Sequence, residues 1–493
     1  MKKARAFLLN TMILTGTSLL LRTVGVTFTV YISNKVGAEG VGVYQLLMAV
    51  YAFGVTMATA GLGLTSTRMV ADQLVRGSPR GARAAVIRCC LCGLSASLAA
   101  CILLFFGAPA ITTACFHGKI SPLPLQVLAL SLPFMALAAA ISGYFTAVRR
   151  VVKSASAQML EQFVHMGTAI LLLTWVAPAG IEPACLCLVI GGALSEVCSC
   201  LYLFVLYRLD LRRLPDGSAP SSATMGRILS ICLPVGFSSL IRSGVNTIKQ
   251  VMVPLGLEKH GLSCDLAIAQ YGAVRGMVMP ILQFPSALLA SFSSLLIPEI
   301  AENHVQGRKG HIDYMIGRIF KTSLLFSVGV AGILYTYADE LSFVIYQDIS
   351  VAPFLRLLAP LVVMMYLDDM VDAILKGLDR QTPLAGINIL ESVLSVVFLQ
   401  LFLPWLGIYG YLFSLFFSEL LNGSLSLLCL FRTTRFRPPW FRWLALPALS
   451  MALACLVGRR LVPGLAGGIL FTLSFYLLLL YALGQVTRRD LCP

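Results

Sequence analysis

The chain is a succession of long apolar stretches separated by short polar gaps. Fourteen apolar segments run at about 7–32, 41–67, 84–107, 121–148, 155–177, 183–207, 227–254, 266–298, 317–338, 351–375, 383–403, 406–430, 440–458 and 463–484. Roughly 20 apolar residues carry a helix across a bilayer. Backbone groups must be paired internally in hydrocarbon, so stretches this long and continuous predict helices and not barrel strands. The longest gaps, 68–83, 208–226 and 299–316, are too short to hold a second folded domain. The predicted class is all-α: a polytopic membrane protein with 14 transmembrane helices.

Composition narrows the function classes. Of 493 residues, 58% are hydrophobic and 12% charged, where a soluble domain carries about 25% charge, which excludes an ordinary cytoplasmic enzyme. The amino terminus imitates a secretory signal, but Arg22 and the further apolar run behind it argue for an uncleaved first span. Most of the 14 cysteines, for example Cys89, Cys90, Cys92, Cys185, Cys187, Cys198 and Cys200, lie inside apolar runs without metal-site spacing to histidines. They read as small membrane hydrophobes.

The balance of 37 Lys plus Arg against 22 Asp plus Glu gives +15. The basic residues fall mainly in the gaps, which points to topology and anionic membrane lipids and away from nucleic acid. With the amino terminus cytoplasmic, that side receives Lys2, Lys3, Arg5, the cluster Arg68 to Arg88, Arg149, Arg150, Lys153, Arg208, Arg212, Arg213, Arg227, Arg308, Lys309, Arg318, Lys376, Arg380, the cluster Arg432 to Arg442, and Arg488 with Arg489. The opposite side keeps Lys35, Lys119, Lys259, Arg459 and Arg460. Both termini are therefore expected on the cytoplasmic side.

An internal repeat sets the expected architecture. Gly16, Ser18 and Arg22 recur as Gly236, Ser238 and Arg242 at a shift of 220. Ala71, Val75 and Gly77 recur as Ala301, Val305 and Gly307 at a shift of 230, which also carries Arg150 to Arg380 and Glu161 to Glu391. Ser195 and Glu196 answer Ser418 and Glu419. Six helices per copy keep the copies in the same orientation. The expectation is two parallel six-helix bundles, 1–225 and 226–430, followed by transmembrane helices 13 and 14 in 431–493, an arrangement suited to alternating access.

Charges inside such helices are expensive and mark function or a partner. Arg22 lies well inside the first span, Arg242 at the matching depth of the seventh, Lys249 two turns beyond it, and Arg275 inside the eighth. Together they are candidates to hold an anionic headgroup, since arginine geometry suits phosphate oxygens; the alternative is pairing with buried glutamates or snorkelling. Asp368 and Asp372, one turn apart with Asp369 beside them, are candidates for cation binding, proton relay or gating, against half-solvated capping roles. Glu161 and Glu391 are candidates for the same work, against symmetrical structural salt bridges, and Glu196, Glu419 and Arg356 follow them. Prolines 133, 234, 254, 280, 285 and 360 lie within the apolar stretches, where they can kink helices. The Asn422 sequon is buried in span twelve and should be unused.

Enzymatic chemistry finds little support. There is no HExxH, no P-loop and no metal-spaced CxxC pair, and five histidines stand at 117, 165, 260, 304 and 311. No cofactor or metal is expected, and transport without a nucleotide site is a secondary process. A membrane transferase using lipid-linked sugars is the alternative from another class, disfavoured by the duplication and the lack of an extramembrane domain.

The opening FLLNTMILTGTSLLLRTVGVTFTVYISNKVGAEGVGVYQLLMAVYAF, the loop MVADQLVRG and the later ILKGLDRQTPLAGINILES resemble bacterial polysaccharide exporters of the stage V sporulation protein B type. These belong to the multidrug, oligosaccharidyl-lipid and polysaccharide exporter superfamily and are related to lipid II flippases. The resemblance covers almost the full chain, and GAEGVGVYQL, Gly37 to Leu46, is its most characteristic stretch. It implies a fourteen-helix protein of the bacterial cytoplasmic membrane that turns an undecaprenyl-diphosphate-linked saccharide across by alternating access, for spore cortex peptidoglycan in the sporulation branch. It implies that Arg22 matches the helix-one cavity arginine and that spans thirteen and fourteen form a groove for the lipid tail. Export of another lipid-linked oligosaccharide, cation-coupled multidrug export with a monovalent cation or proton, and a scaffold for cell-wall synthesis proteins are the alternatives it leaves open.

Overall fold

The computed structural model describes residues 2–116, 120–175, 180–211, 225–434 and 436–485, without the side chains of 2–15, 18, 19, 290–295 and 298. The topological charges Lys119, Arg212, Arg213, Arg435, Arg488 and Arg489, the side chains of Lys2, Lys3 and Arg5, and His117 lie outside the described residues. The described residues form helices and turns with no strand.

The helices run in the order α1 (Lys2–Thr59), α2 (Leu62–Val75), α3 (Pro79–Phe116), α4 (Leu123–Ala147), α5 (Val151–Trp175), α6 (Ile181–Leu211), α7 (Met225–Lys259), α8 (Cys264–Gly272), α9 (Met279–Gln283), α10 (Ser286–Val305), α11 (Lys309–Thr336), α12 (Ala338–Tyr346), α13 (Ala352–Leu358), α14 (Leu361–Gly377), α15 (Gln381–Leu406), α16 (Ile408–Thr433), α17 (Leu446–Leu461) and α18 (Leu465–Ala482). Turns of π-helix at Ala273–Val278 and Phe441–Ala445 precede α9 and α17. Among the described residues, ten continuous helical stretches are long and apolar enough to cross a membrane.

Gly37 (φ 72, ψ 177) falls in the polar gap 33–40 between the first two apolar segments and breaks α1 there, in a left-handed conformation that glycine adopts without a Cβ penalty. Elsewhere the apolar segments and the helices differ where the backbone breaks without a loss of hydropathy. The segment 266–298 divides into α8, a π turn, α9 and α10, and 351–375 into α13 and α14. Pro133, Pro234 and Pro254 lie inside helices, but Pro280, Pro285 and Pro360 stand at helix starts. There the missing N–H costs nothing and the fixed φ favours a new helix.

The chain divides into two compact units, Met1–Phe28 with Val36–Gly272, and Thr29–Lys35 with Ala273–Pro493. In the first, α2, α3, α4 and α6 enclose a core of Leu62, Met69, Cys89, Tyr144, Phe145 and Ile228. The buried cysteine there packs as an apolar side chain. Beneath that core Asp210 accepts from Tyr144 (3.0 Å), Lys153 (2.8 Å) and Arg150. α7 lies along α1 and α2 through Thr247 donating to the Ala49 carbonyl (3.0 Å), Thr56 to Ser243 (3.0 Å) and the Arg227–Asp72 pair (2.6 Å). Within GAEGVGVYQL, Gly42 serves contact: a Cβ there would stand 2.2 Å from the Ile268 carbonyl oxygen of α8.

In the second unit, Val328, Met451, Ala454, Tyr476 and Leu480 pack α11, α17 and α18 together. Tyrosine hydroxyls close the remaining backbone gaps, Tyr366 donating to the Leu282 carbonyl and Tyr346 to the Met277 carbonyl, each at 2.7 Å. These carbonyls flank the π turn and the Pro285 break, where helical pairing is interrupted.

The repeat is visible in the backbone as well as in the letters. Gly77 (φ 67) and Gly307 (φ 71) are both left-handed, as are Arg149 (φ 59) and Asp379 (φ 57), each pair 230 residues apart. The helices after the second pair begin at Val151 and Gln381, the same interval.

Candidate functional site

Arg242 stands at the centre of α7, seventeen residues from either end of this 35-residue helix, and is exposed. Gly244 of the same helix packs on Phe53, which lies sixteen residues after the turn at Gly37. Arg22 lies fifteen residues before that turn, half-buried, so both arginines belong to the middle depth of their spans. Among the described residues neither makes an ion pair, so the pairing with buried glutamates weighed above is not what holds them. Lys249 is half-buried on α7 and has interactions of its own. Arg275 is half-buried in the π turn of the second unit, within electrostatic reach of Tyr411 on α16. Such turns shift side chains out of helical register, which is why they recur at functional positions.

The acidic candidates separate into one group per unit. In the first, Glu161 and Glu196 line a cavity of about 150 Å³ with Tyr44, Tyr51, Gln162 and His165. Tyr51 is fixed by Ser131 (2.6 Å), while the buried Nε2 of His165 has no partner. Helical spacing explains the assembly, since Glu161 and His165 are one turn apart on α5 and meet Glu196 from α6.

In the second unit Asp368 on α14 accepts from Asn422 Nδ2 on α16 at 2.7 Å. The Ser426 hydroxyl of α16 also lies within hydrogen-bonding reach of Asp368, while the Asn422 Oδ1 is buried without a partner. Glu419, one turn before Gly423 on α16, lies within electrostatic reach of Asp368, Asp369, Asp372 and Glu391. Asp372 pairs with Lys376 at 3.5 Å along α14, and Glu391 accepts from Ser392 at 3.2 Å. Asn422, Ser426 and His165 were not among the site residues expected from the sequence. The available signal was their spacing: Asn422 and Ser426 are one turn apart on α16, and Glu419 precedes them by about one turn.

Arg356 is held by Asp339 at 2.6 Å. It opens onto a groove of about 950 Å³ lined by Val328 and Tyr335 of α11, Met451 and Cys455 of α17, and Arg459. Close approach of α11 and α17 sets its floor, for Gly332 leaves only 2.4 Å between a notional Cβ and Met451.

An all-helical chain with apolar helices of spanning length and charges kept inside them is a polytopic membrane protein of the transporter kind. The profile of a family described as Polysaccharide biosynthesis protein matches residues 7–304, and the chain belongs to that family. It is 26% identical over 422 residues to Stage V sporulation protein B of Bacillus subtilis (strain 168), covering 82% of this chain and 80% of the relative. It is 21% identical over 332 residues to Sporulation protein YkvU of the same organism, covering 67% and 73%. Among solved structures it is similar to the lipid II flippase MurJ in an inward closed conformation, with a TM-score of 0.69 at 12% identity over 98% of this chain and 100% of that one. An inward-facing multidrug resistance MATE family transporter of the MOP superfamily matches with a TM-score of 0.65 at 16% identity, over 85% and 98%. These likenesses fix the fold as that of the superfamily expected from the sequence.

Proposed function

We propose that this protein is a secondary transporter that flips an undecaprenyl-diphosphate-linked saccharide across the bacterial cytoplasmic membrane by alternating access. Its substrate on this reading is a peptidoglycan precursor such as lipid II, used for spore cortex. The observation that carries the reading is the pair of mid-depth arginines, Arg22 and Arg242, with no carboxylate partner among the described residues. An arginine at that depth calls for water, an anion, a backbone carbonyl or a route to the interface, and among these a diphosphate offers the oxygens that a guanidinium fork binds best. The relative named Stage V sporulation protein B and the fold likeness to a lipid II flippase support the choice of substrate. The remaining parts follow from it: fourteen crossings with both termini cytoplasmic, Lys249 and Arg275 as further anion contacts, and the groove beside α17 for the lipid tail. No step calls for an enzymatic group.

The acidic groups favour ion coupling within the same cycle. A buried carboxylate crowded by other acids, as Asp368 is by Asp369, Asp372 and Glu419, is stable when it carries a proton or a monovalent cation.

Sealed vesicles containing the purified protein and a fluorescent undecaprenyl-diphosphate-linked saccharide test the proposal. Losing a charge-assisted contact of about 1.5–3 kcal/mol lowers the rate roughly 10- to 100-fold, so Arg22→Ala and Arg242→Ala should each slow flipping by at least about tenfold. Wild-type protein that moves organic cations under an ion gradient but no sugar lipid overturns the flippase reading in favour of a multidrug exporter.

A further inference from the structure

The arginines recur in both copies of the repeat, so what distinguishes the copies is the residues around them. Ser238, Arg242 and Asn246 follow at four-residue intervals on α7, and all three are exposed. Four residues advance a helix by about 6 Å with little rotation, so the three form one polar ladder through the middle of an apolar span. The Ser238 hydroxyl is satisfied by the Val235 carbonyl at 2.9 Å. The Asn246 amide, by contrast, makes no hydrogen bond among the described residues. Hydrocarbon satisfies neither an amide nor a guanidinium, so this face of α7 meets water or a polar ligand. In the first copy, the shift of 220 that aligns Arg22 with Arg242 places Ser18 opposite Ser238 but Val26 opposite Asn246. The anion-binding position is duplicated; the amide is not.

We infer that Asn246 is a specificity-determining residue that reads the sugar next to the diphosphate, hydrogen-bonding the 2-acetamido group of an N-acetylated hexosamine while Arg242 holds a phosphate. This rests on the flippase reading above and adds to it which part of the substrate α7 reads. The step of about 6 Å from Arg242 to Asn246 matches the distance from a glycosyl diphosphate to the ring substituents of its first sugar. A side-chain amide answers an acetamido group with both its donor and its acceptor. A hexose with a hydroxyl at that carbon offers a shorter group that cannot span both ends of the amide as an acetamido group does, so it should bind this position less well.

The test compares two undecaprenyl-diphosphate-linked sugars in sealed vesicles, N-acetylglucosamine and glucose, across wild type, Asn246→Val, Asn246→Gln and Arg242→Ala. Wild type should flip the acetamido sugar faster. Asn246→Val, which installs the residue found at the matching position of α1, should slow it about five- to tenfold and bring the ratio of the two rates near one. Asn246→Gln should retain the preference, and Arg242→Ala should slow both lipids alike. A ratio unchanged in Asn246→Val, or equal loss on both sugars, overturns the assignment while the Arg242→Ala result still supports the flippase. Wild-type protein that moves neither lipid overturns the flippase reading and this assignment together.

Discussion

The contact of α1 with α8 offers a quantitative test of the fold around the π turn. A Cβ on Gly272 would stand 2.0 Å from the Ala38 carbonyl oxygen, 2.6 Å from the Gly42 nitrogen and 2.8 Å from the Gly42 Cα. All three are backbone atoms, so no side-chain rotation relieves the clash, and the Ala38 carbonyl must recede by about 1.4 Å before ordinary contact is restored. Inserting one methyl into a well-packed site costs about 1–3 kcal/mol when side chains can yield; with backbone on both sides Gly272→Ala should lie at or above the top of that range. Gly167 on α5 supplies the opposite case, since nothing lies within 4 Å of its notional Cβ. Gly167→Ala should therefore stabilise its helix by up to about 1 kcal/mol through propensity alone. Thermal unfolding of the two variants in one detergent, followed by loss of monodispersity, should show shifts of opposite sign relative to wild type. A Gly272→Ala protein as stable as wild type would refute the close approach of α1 and α8. The consequence reaches the candidate site, because Gly272 is the residue before the turn that presents Arg275.

Two ion-pair sites in the first unit should separate. Asp210 is 3% exposed and holds Arg150, Lys153 and the buried Tyr144 hydroxyl, so Asp210→Ala should cost about 1–3 kcal/mol, chiefly by leaving that hydroxyl without its acceptor. Asp72 and Arg227 are about two-fifths exposed, and Asp72→Ala should cost no more than about 1 kcal/mol; unfolding in parallel orders them. Arg149 and Asp379 hold left-handed backbone without being glycine, so Arg149→Gly and Asp379→Gly should each raise the unfolding temperature, a gain worth about 1 kcal/mol. Asp368→Asn keeps a hydrogen-bonding partner for Asn422 while removing the charge. It should leave a folded protein whose flipping rate no longer responds to an imposed sodium or pH gradient, as read by the ratio of rates with and without the gradient.

The helical class was legible because a bilayer leaves the backbone one local solution, and hydropathy reports membership in that environment directly. The break at Gly37 was legible too, because it falls in the polar gap 33–40 between the first two apolar segments. The breaks at Pro280 and Pro285 were not, because the eighth stretch stays apolar on average across them. The repeat was legible where geometry demands the same letter in both copies, as at Gly77 and Gly307. It was hidden where geometry is shared but the letter is not, as at Arg149 and Asp379.

The site divides along the same line between what one helix determines and what two helices determine. Arg22, Arg242 and Asp368 announce themselves singly, since a charge in an apolar helix is costly wherever it points. Their surroundings depend on contacts between distant segments: Asp368 finds Asn422 fifty-four residues away, and that asparagine reads in the sequence as an unused glycosylation signal. Within one helix more could have been extracted, since Glu161 and His165 share a face of α5, Asn422 and Ser426 a face of α16, and Ser238, Arg242 and Asn246 a face of α7. A polar residue in a membrane helix is best read with its neighbours four positions away. One such residue states a cost, whereas a row of them along one face states that the face is wet. By that criterion α7, with its exposed arginine and asparagine at mid-depth, is the helix on which substrate recognition is most directly written.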